Sequence, residues 1–237
     1  MDPDASPSGT SGSSDKPLLL ELGRRVLRRD VGRVVDLTEG LLQGTRHLDE
    51  RRRVDFADLT EDLCDDVVAE LGFEESLLWP LLEQHAPEAL PYATLRERRE
   101  DLRALVADAR RTTRAVVTQL AHRPATLATA EDHRRVELLA AAWRSLSDGL
   151  TAFVDPSARE TAELVTERIP DEQWATVLDA VREGLTDPRG AGARVVEVAT
   201  PEEMERLRDQ LGPRPLTGWT RHGRRRRSKE ASVFGPR

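Results

Sequence analysis

The chain has 237 residues, 36 Lys+Arg against 43 Asp+Glu, and a formal net charge of −7. Apolar residues make up 38% and aromatics only 4%, so any core must be built from Leu, Val and Ala rather than from rings. One cysteine, Cys64, excludes an intramolecular disulfide and a CxxC metal knuckle. No run approaches the roughly 20 apolar residues of a membrane span, and the polar start has no apolar leader segment, so the expectation is a cytoplasmic protein with no membrane partner.

Residues 1–16 are mostly Ser, Gly, Pro and Asp, the composition of a disordered tail. Residues 17–186 read as a helical bundle with flanking helices. A helix over about 31–48 carries Val31, Val34, Leu37, Leu41 and Leu48 on one stripe. A second, over 55–84, uses Phe56, Leu59, Leu63, Val67 and Leu71, with Asp55 placed to cap its start. A third covers 95–121 through Leu102, Leu105, Ala109, Val116 and Leu120. The clearest runs from Ala130 to Val154, where Val136, Leu139, Trp143, Leu146, Leu150 and Phe153 alternate steps of three and four.

Pro156 breaks that pattern, which resumes over Ala158–Ile169, and Pro170-Asp171-Glu172 opens a further helix to about Leu185. Short connections favour antiparallel neighbours, so the expected fold class is all-α, an up-down-up-down four-helix bundle with a C-terminal helical extension. Residues 187–212 read as a linker and short helix. Within them Arg194 to Val198 is the one stretch with strand-like alternation. Pro201 to Leu211 forms a helix with Pro at its first position and Gly212 past its end. Residues 213–237 carry eight basic residues against Glu230, about +7, leaving roughly −14 on the rest. They are expected to form a basic, disordered tail.

Glu70, Glu74-Glu75 and Trp79-Pro80 stand in register with the pattern H-x3-E-E-x4-P. Ile169-Pro170-Asp171-Glu172-Gln173-Trp174 is similar to the close of the same family's last helix. On these residues the chain, over roughly 31–183, resembles the hemerythrin-like, or HHE cation-binding, proteins. The resemblance implies a four-helix bundle and a di-iron centre held by histidines and carboxylates. At the implied ligand positions, however, stand Glu70, Glu39-Gly40, Arg98 or Arg99, and Ala152 and Pro156. A fixed guanidinium repels a cation, so no cofactor is expected, and di-iron is the alternative.

Glu70 and Glu74 share a helix face with Asp66 at i, i+4 spacing. They are the candidate metal residues. The reading preferred here is that Arg98 or Arg99 pairs with them across the bundle, filling the former metal cavity. His47, His122 and His133 could converge on a polar metal site if the connections fold back, but solvated loop histidines are the simpler expectation. Cys64, between Leu63 and Val67, reads as a core residue without a base beside it. Gly190-Ala191-Gly192 precedes rather than follows a strand-like stretch, which excludes a nucleotide-binding loop.

Arg224, Arg225, Arg226 and Arg227 are candidates for contacting a polyanion such as nucleic acid, or a protein partner. The arm could also fold back onto the acidic bundle. No catalytic constellation is legible. The expected function is that of a metal-free, regulatory or scaffolding protein whose partner is unknown. The alternatives are a carboxylate-held cation or oxygen binder, and polyanion association through the tail.

Overall fold

The computed structural model describes residues 16–120, 129–184 and 192–235, apart from the side chains of 120, 154–158, 184, 222, 224 and 225. Of the expected N-terminal tail all but Lys16 lies outside these residues. The fold is all-helical, and no strand occurs among the described residues. No helix of them is long and apolar enough to cross a membrane.

α1 (Leu18–Leu42) begins well before the expected position 31. Leu18, Leu22, Val26, Val31, Val34 and Leu37 form one buried stripe, which the arginine pairs Arg24-Arg25 and Arg28-Arg29 obscure in the sequence. Gly44, at φ 71°, turns the chain out of the helix. α2 (Glu50–Phe73) is capped by Asp49 rather than Asp55, its side chain accepting from Arg52 N–H at 2.9 Å. A π turn, Glu74–Leu78, then leads into α3 (Trp79–His85). The π turn has a cause in the sequence. Pro80 supplies no N–H and its ring crowds the carbonyl four residues back. The turn widens accordingly, and Trp79 N–H reaches five residues back to Glu74 O.

α4 (Tyr92–Leu120) is followed by α5 (Ala130–Arg168), capped by Thr129, which accepts from Asp132 N–H at 3.1 Å. The break expected at Pro156 does not occur. Burial resumes at Thr161 and Val165, and packing against α1 carries the helix through. α6 (Asp171–Gly184) closes this part.

α1 packs on α2 and α5, and α4 packs on the same two helices. Residue pairs of α2 with α4, and of α1 with α5, run in opposite directions. Glu75 meets Arg103 and Glu61 meets Arg114 between α2 and α4. Thr113 accepts from Trp143 Nε1 at 2.9 Å between α4 and α5. Glu39 meets Arg144 between α1 and α5, where Lys16 also reaches Ile169 O at 2.7 Å. One core runs through all of them, and buried Cys64 lies inside it.

Beyond the described part of the expected linker, α7 (Gly192–Val198) is a short helix, not a strand. Its alternation was misleading because Arg194, the residue that breaks the apolar run, is itself fully buried. α8 (Pro201–Leu211) carries a capping box between Thr200 and Glu203, with Gly212 at φ 78° past its end.

The basic segment is likewise not disordered over its described part. It forms α9 (Pro213–Phe234), packed on α2, α7 and α8. Leu216, Trp219 and Val233 are buried at helical spacing. Gly192 allows the approach, since a Cβ there would lie 2.2 Å from the Trp219 ring. The rest of the seat is electrostatic. Glu230, buried, accepts from Arg33 at 2.6 Å and from Arg226 at 2.8 Å. Arg226 also lies 3.7 Å from Asp62, Lys229 reaches Asp58 at 2.7 Å, and Ser232 donates to Asp55 at 2.8 Å. The polar edge of α2, spaced three and four residues apart, therefore receives the polar side of α9.

Burial opposes the charge on Glu230, but hydrogen bonds from Arg33 and Arg226 overcome it and hold the carboxyl at about 2. Its contribution is therefore fully present above the ordinary 4.5 and is lost as pH falls toward 2. Replacing Glu230 by Gln leaves two guanidiniums against a neutral group and is expected to destabilise by about 2–4 kcal/mol. Urea unfolding at pH 7 measures this, and trypsin should cut within α9 faster in the variant. The difference between wild type and variant should shrink as pH falls below 4.5.

Candidate functional site

The polar centre of the helix ring is built on the π turn. Glu74, its first residue, is 3% exposed, and each of its carboxylate oxygens accepts a different guanidinium. Arg24 Nη2 from α1 reaches Oε1 at 2.9 Å, and Arg99 Nη2 from α4 reaches Oε2 at 2.9 Å. Arg24 is 4% and Arg99 1% exposed, so all three charges are removed from water. The guanidinium of Arg99 lies 3.9 Å from the centre of the Trp79 ring, which covers its face.

One turn earlier, Glu70 is part-buried with its Oε1 sealed and without a hydrogen-bond partner. Its carboxylate rests over Gly23, where a Cβ would stand 3.4 Å from the nearer oxygen. Burial and then the neighbouring charge of Glu74 push the Glu70 carboxyl up to about 7, against the pull of Arg24 and Arg99.

Of the residues singled out in the sequence, Glu70, Glu74 and Arg99 come together. Arg98 is exposed and faces away, and Asp66 turns to Arg194 of α7. Arg24 is the member that the sequence hid, because the expected first helix began after it. A second buried group lies beside the first. Arg194, 0% exposed, pairs with Asp66 and with Asp30 at 3.4 Å. Burial and then the nearby Arg226 lower its guanidinium to about 10, which leaves it charged at neutral pH.

The residues present do not fit a metal ion. Both oxygens of Glu74 are committed to arginines, and two buried guanidiniums face the space a cation would need. Among the described residues no three His, Cys, Asp or Glu side chains converge on a common point. His47 and His133 are exposed, and His122 lies outside the described residues. His85 pairs with Gln173 Oε1 at 2.7 Å. The Cys64 thiol is pushed up to about 11, first by burial, and is inert as a nucleophile at neutral pH.

The structure describes the side chains of two of the four arginines of the C-terminal run. Arg226 is drawn into the bundle, Arg227 is exposed, and the side chains of Arg224 and Arg225 lie outside the description.

No protein-family model, curated protein or solved structure matches the chain. What the geometry of the site does is electrostatic: one carboxylate fixes two guanidiniums from two other helices.

Removing Glu74 strands both. Glu74→Ala is expected to cost about 3–5 kcal/mol, whereas an apolar replacement of Arg24, Glu74 and Arg99 together should cost far less. Chemical denaturation of the two variants compares them. Glu70 gives the opposite pH signature to Glu230. Its raised value means the folded chain holds the proton more tightly, so stability is highest below 4.5 and falls as pH rises toward 7. Glu70→Gln should abolish that fall and stabilise the protein at pH 8 by on the order of 2 kcal/mol, read from the urea midpoints at pH 5 and pH 8.

Proposed function

We propose that the chain is a hemerythrin-like, up-down-up-down bundle of α1, α2, α4 and α5 in which an arginine–glutamate cluster stands where the family holds iron. It works without a metal, as a regulatory or scaffolding protein that binds partners through its surface. The observation that carries this reading is the double engagement of Glu74 by Arg24 and Arg99. The opposed residue pairings of α2 with α4 and of α1 with α5 support the bundle topology, and the Glu74-to-Pro80 register supports the family resemblance. The π turn lends further support, since it opens at Glu74, the first glutamate of the family pattern. A carboxylate-held cation has only Glu70 left to serve it, too few oxygens for a hard ion.

The test is anaerobic incubation with ferrous iron, followed by desalting, elemental analysis and a spectrum in air. The expected result is far less than one iron per chain, no oxo-bridge absorption, and an unfolding temperature unmoved by iron. Stoichiometric iron with such a band would overturn the reading.

A further inference from the structure

The inward side of α9 is used up by the bundle, but its outward side is not. Arg214 and Arg221 are exposed, seven residues apart and about 10 Å along the axis. Arg227, also exposed, stands at the edge of the same half, so the three span about 20 Å. No described carboxylate lies within ion-pair distance of Arg214, Arg221 or Arg227, whereas Arg226 and Lys229 on the inner side are paired. The one acid of the helix, Glu230, is buried on the inner face. A protein of net charge −7 thus displays one helix face of a single, positive sign.

We propose that this outward face of α9 binds the phosphate backbone of duplex nucleic acid without reading its sequence. The chemistry of this face selects that partner. Guanidiniums donate in a fork that suits phosphate oxygens. The exposed residues between them are Thr217, Thr220 and Ser228, small hydroxyl side chains that let a backbone approach and can donate to phosphate. Single-stranded binding needs aromatic platforms, yet Trp219 is 1% exposed and points into the α7 contact. A bilayer needs apolar side chains to insert, and Leu216 and Val233 are buried on the other side. The described outward residues include no Asn or Gln to pair with adenine, and the contact assigned to them is with phosphates. This inference is independent of the metal-free reading, because the face remains whether or not the bundle holds iron.

The experiment is fluorescence anisotropy of a labelled duplex of about 25 base pairs, titrated with the full chain across a salt series. Three phosphate contacts predict a log–log salt slope near −2.7, which is roughly a 40-fold loss of affinity between 50 and 200 mM salt. Arg214→Ala/Arg221→Ala/Arg227→Ala should reduce that slope by about 2.7 and leave the circular dichroism and unfolding midpoint unchanged. A duplex of scrambled sequence should bind equally well.

Absence of binding by the wild type at 50 mM salt would overturn the proposal. So would equal binding by the triple variant, tighter binding to an oligothymidine strand, or binding confined to vesicles of anionic lipid or to polyglutamate. Failure here leaves the iron measurement untouched, so the two readings fail separately.

Discussion

Burying one carboxylate between two guanidiniums obliges three helices to meet at a single height. Glu74 cannot satisfy both oxygens unless Arg24 of α1 and Arg99 of α4 arrive together, and neither arginine can enter the core unless Glu74 is there. Apolar packing alone is tolerant of sliding, since leucines at neighbouring turns replace one another at small cost. The charged cluster removes that tolerance. It acts less as a source of net stability, since desolvation offsets most of the attraction, than as a pin for helix register. Trp79 belongs to the same device. The π turn forced by Pro80 sets the ring beside Arg99 at the height where the guanidinium enters.

The same logic is repeated toward the C-terminus. Arg194 joins α7 to Asp30 of α1 and Asp66 of α2, and Glu230 joins α9 to Arg33 of α1. The two clusters lie on the same pair of helices, one after the other along α2. The roughly −14 outside the basic segment and the +7 within it are therefore not independent surfaces. Part of the asymmetry is neutralised inside the molecule, by Asp58 facing Lys229 and Asp62 facing Arg226. What remains outward on α9 is the portion that the fold does not need.

How far the sequence disclosed this depends on the kind of interaction. Apolar periodicity located the long helices of α2, α4 and α5 because Phe56, Leu102 and Trp143 recur on stripes that burial alone explains. It failed where charged residues occupy core positions. Arg24 and Asp30 interrupt the stripe of α1, so the helix read thirteen residues too short at its start. Arg194 gave α7 the look of a strand, and Glu230 with Arg226 made α9 look like a solvated tail. Local rules cannot see that a charge has a partner 50 or 164 residues away. Pro156 misled in the other direction. A local breaker was overruled by the packing of α5 against α1 on both sides of it.

Glu70 and Glu74 show why a candidate site is harder to read than a fold. In sequence they are equivalent acids one turn apart on one face. In the structure they differ completely, because Glu74 lies between two guanidiniums while Glu70 rests over Gly23 with one oxygen sealed. The first is committed to its charge, and the second changes charge near neutrality. When Glu70 is ionised the cluster holds two positive and two negative groups. When it is protonated, one positive charge is left over in a buried place. The pin that sets the helix register is therefore electrically balanced only on the alkaline side of Glu70, although that ionisation costs burial free energy. The two demands oppose each other, and their compromise near pH 7 follows from placing a second carboxylate beside an already satisfied one.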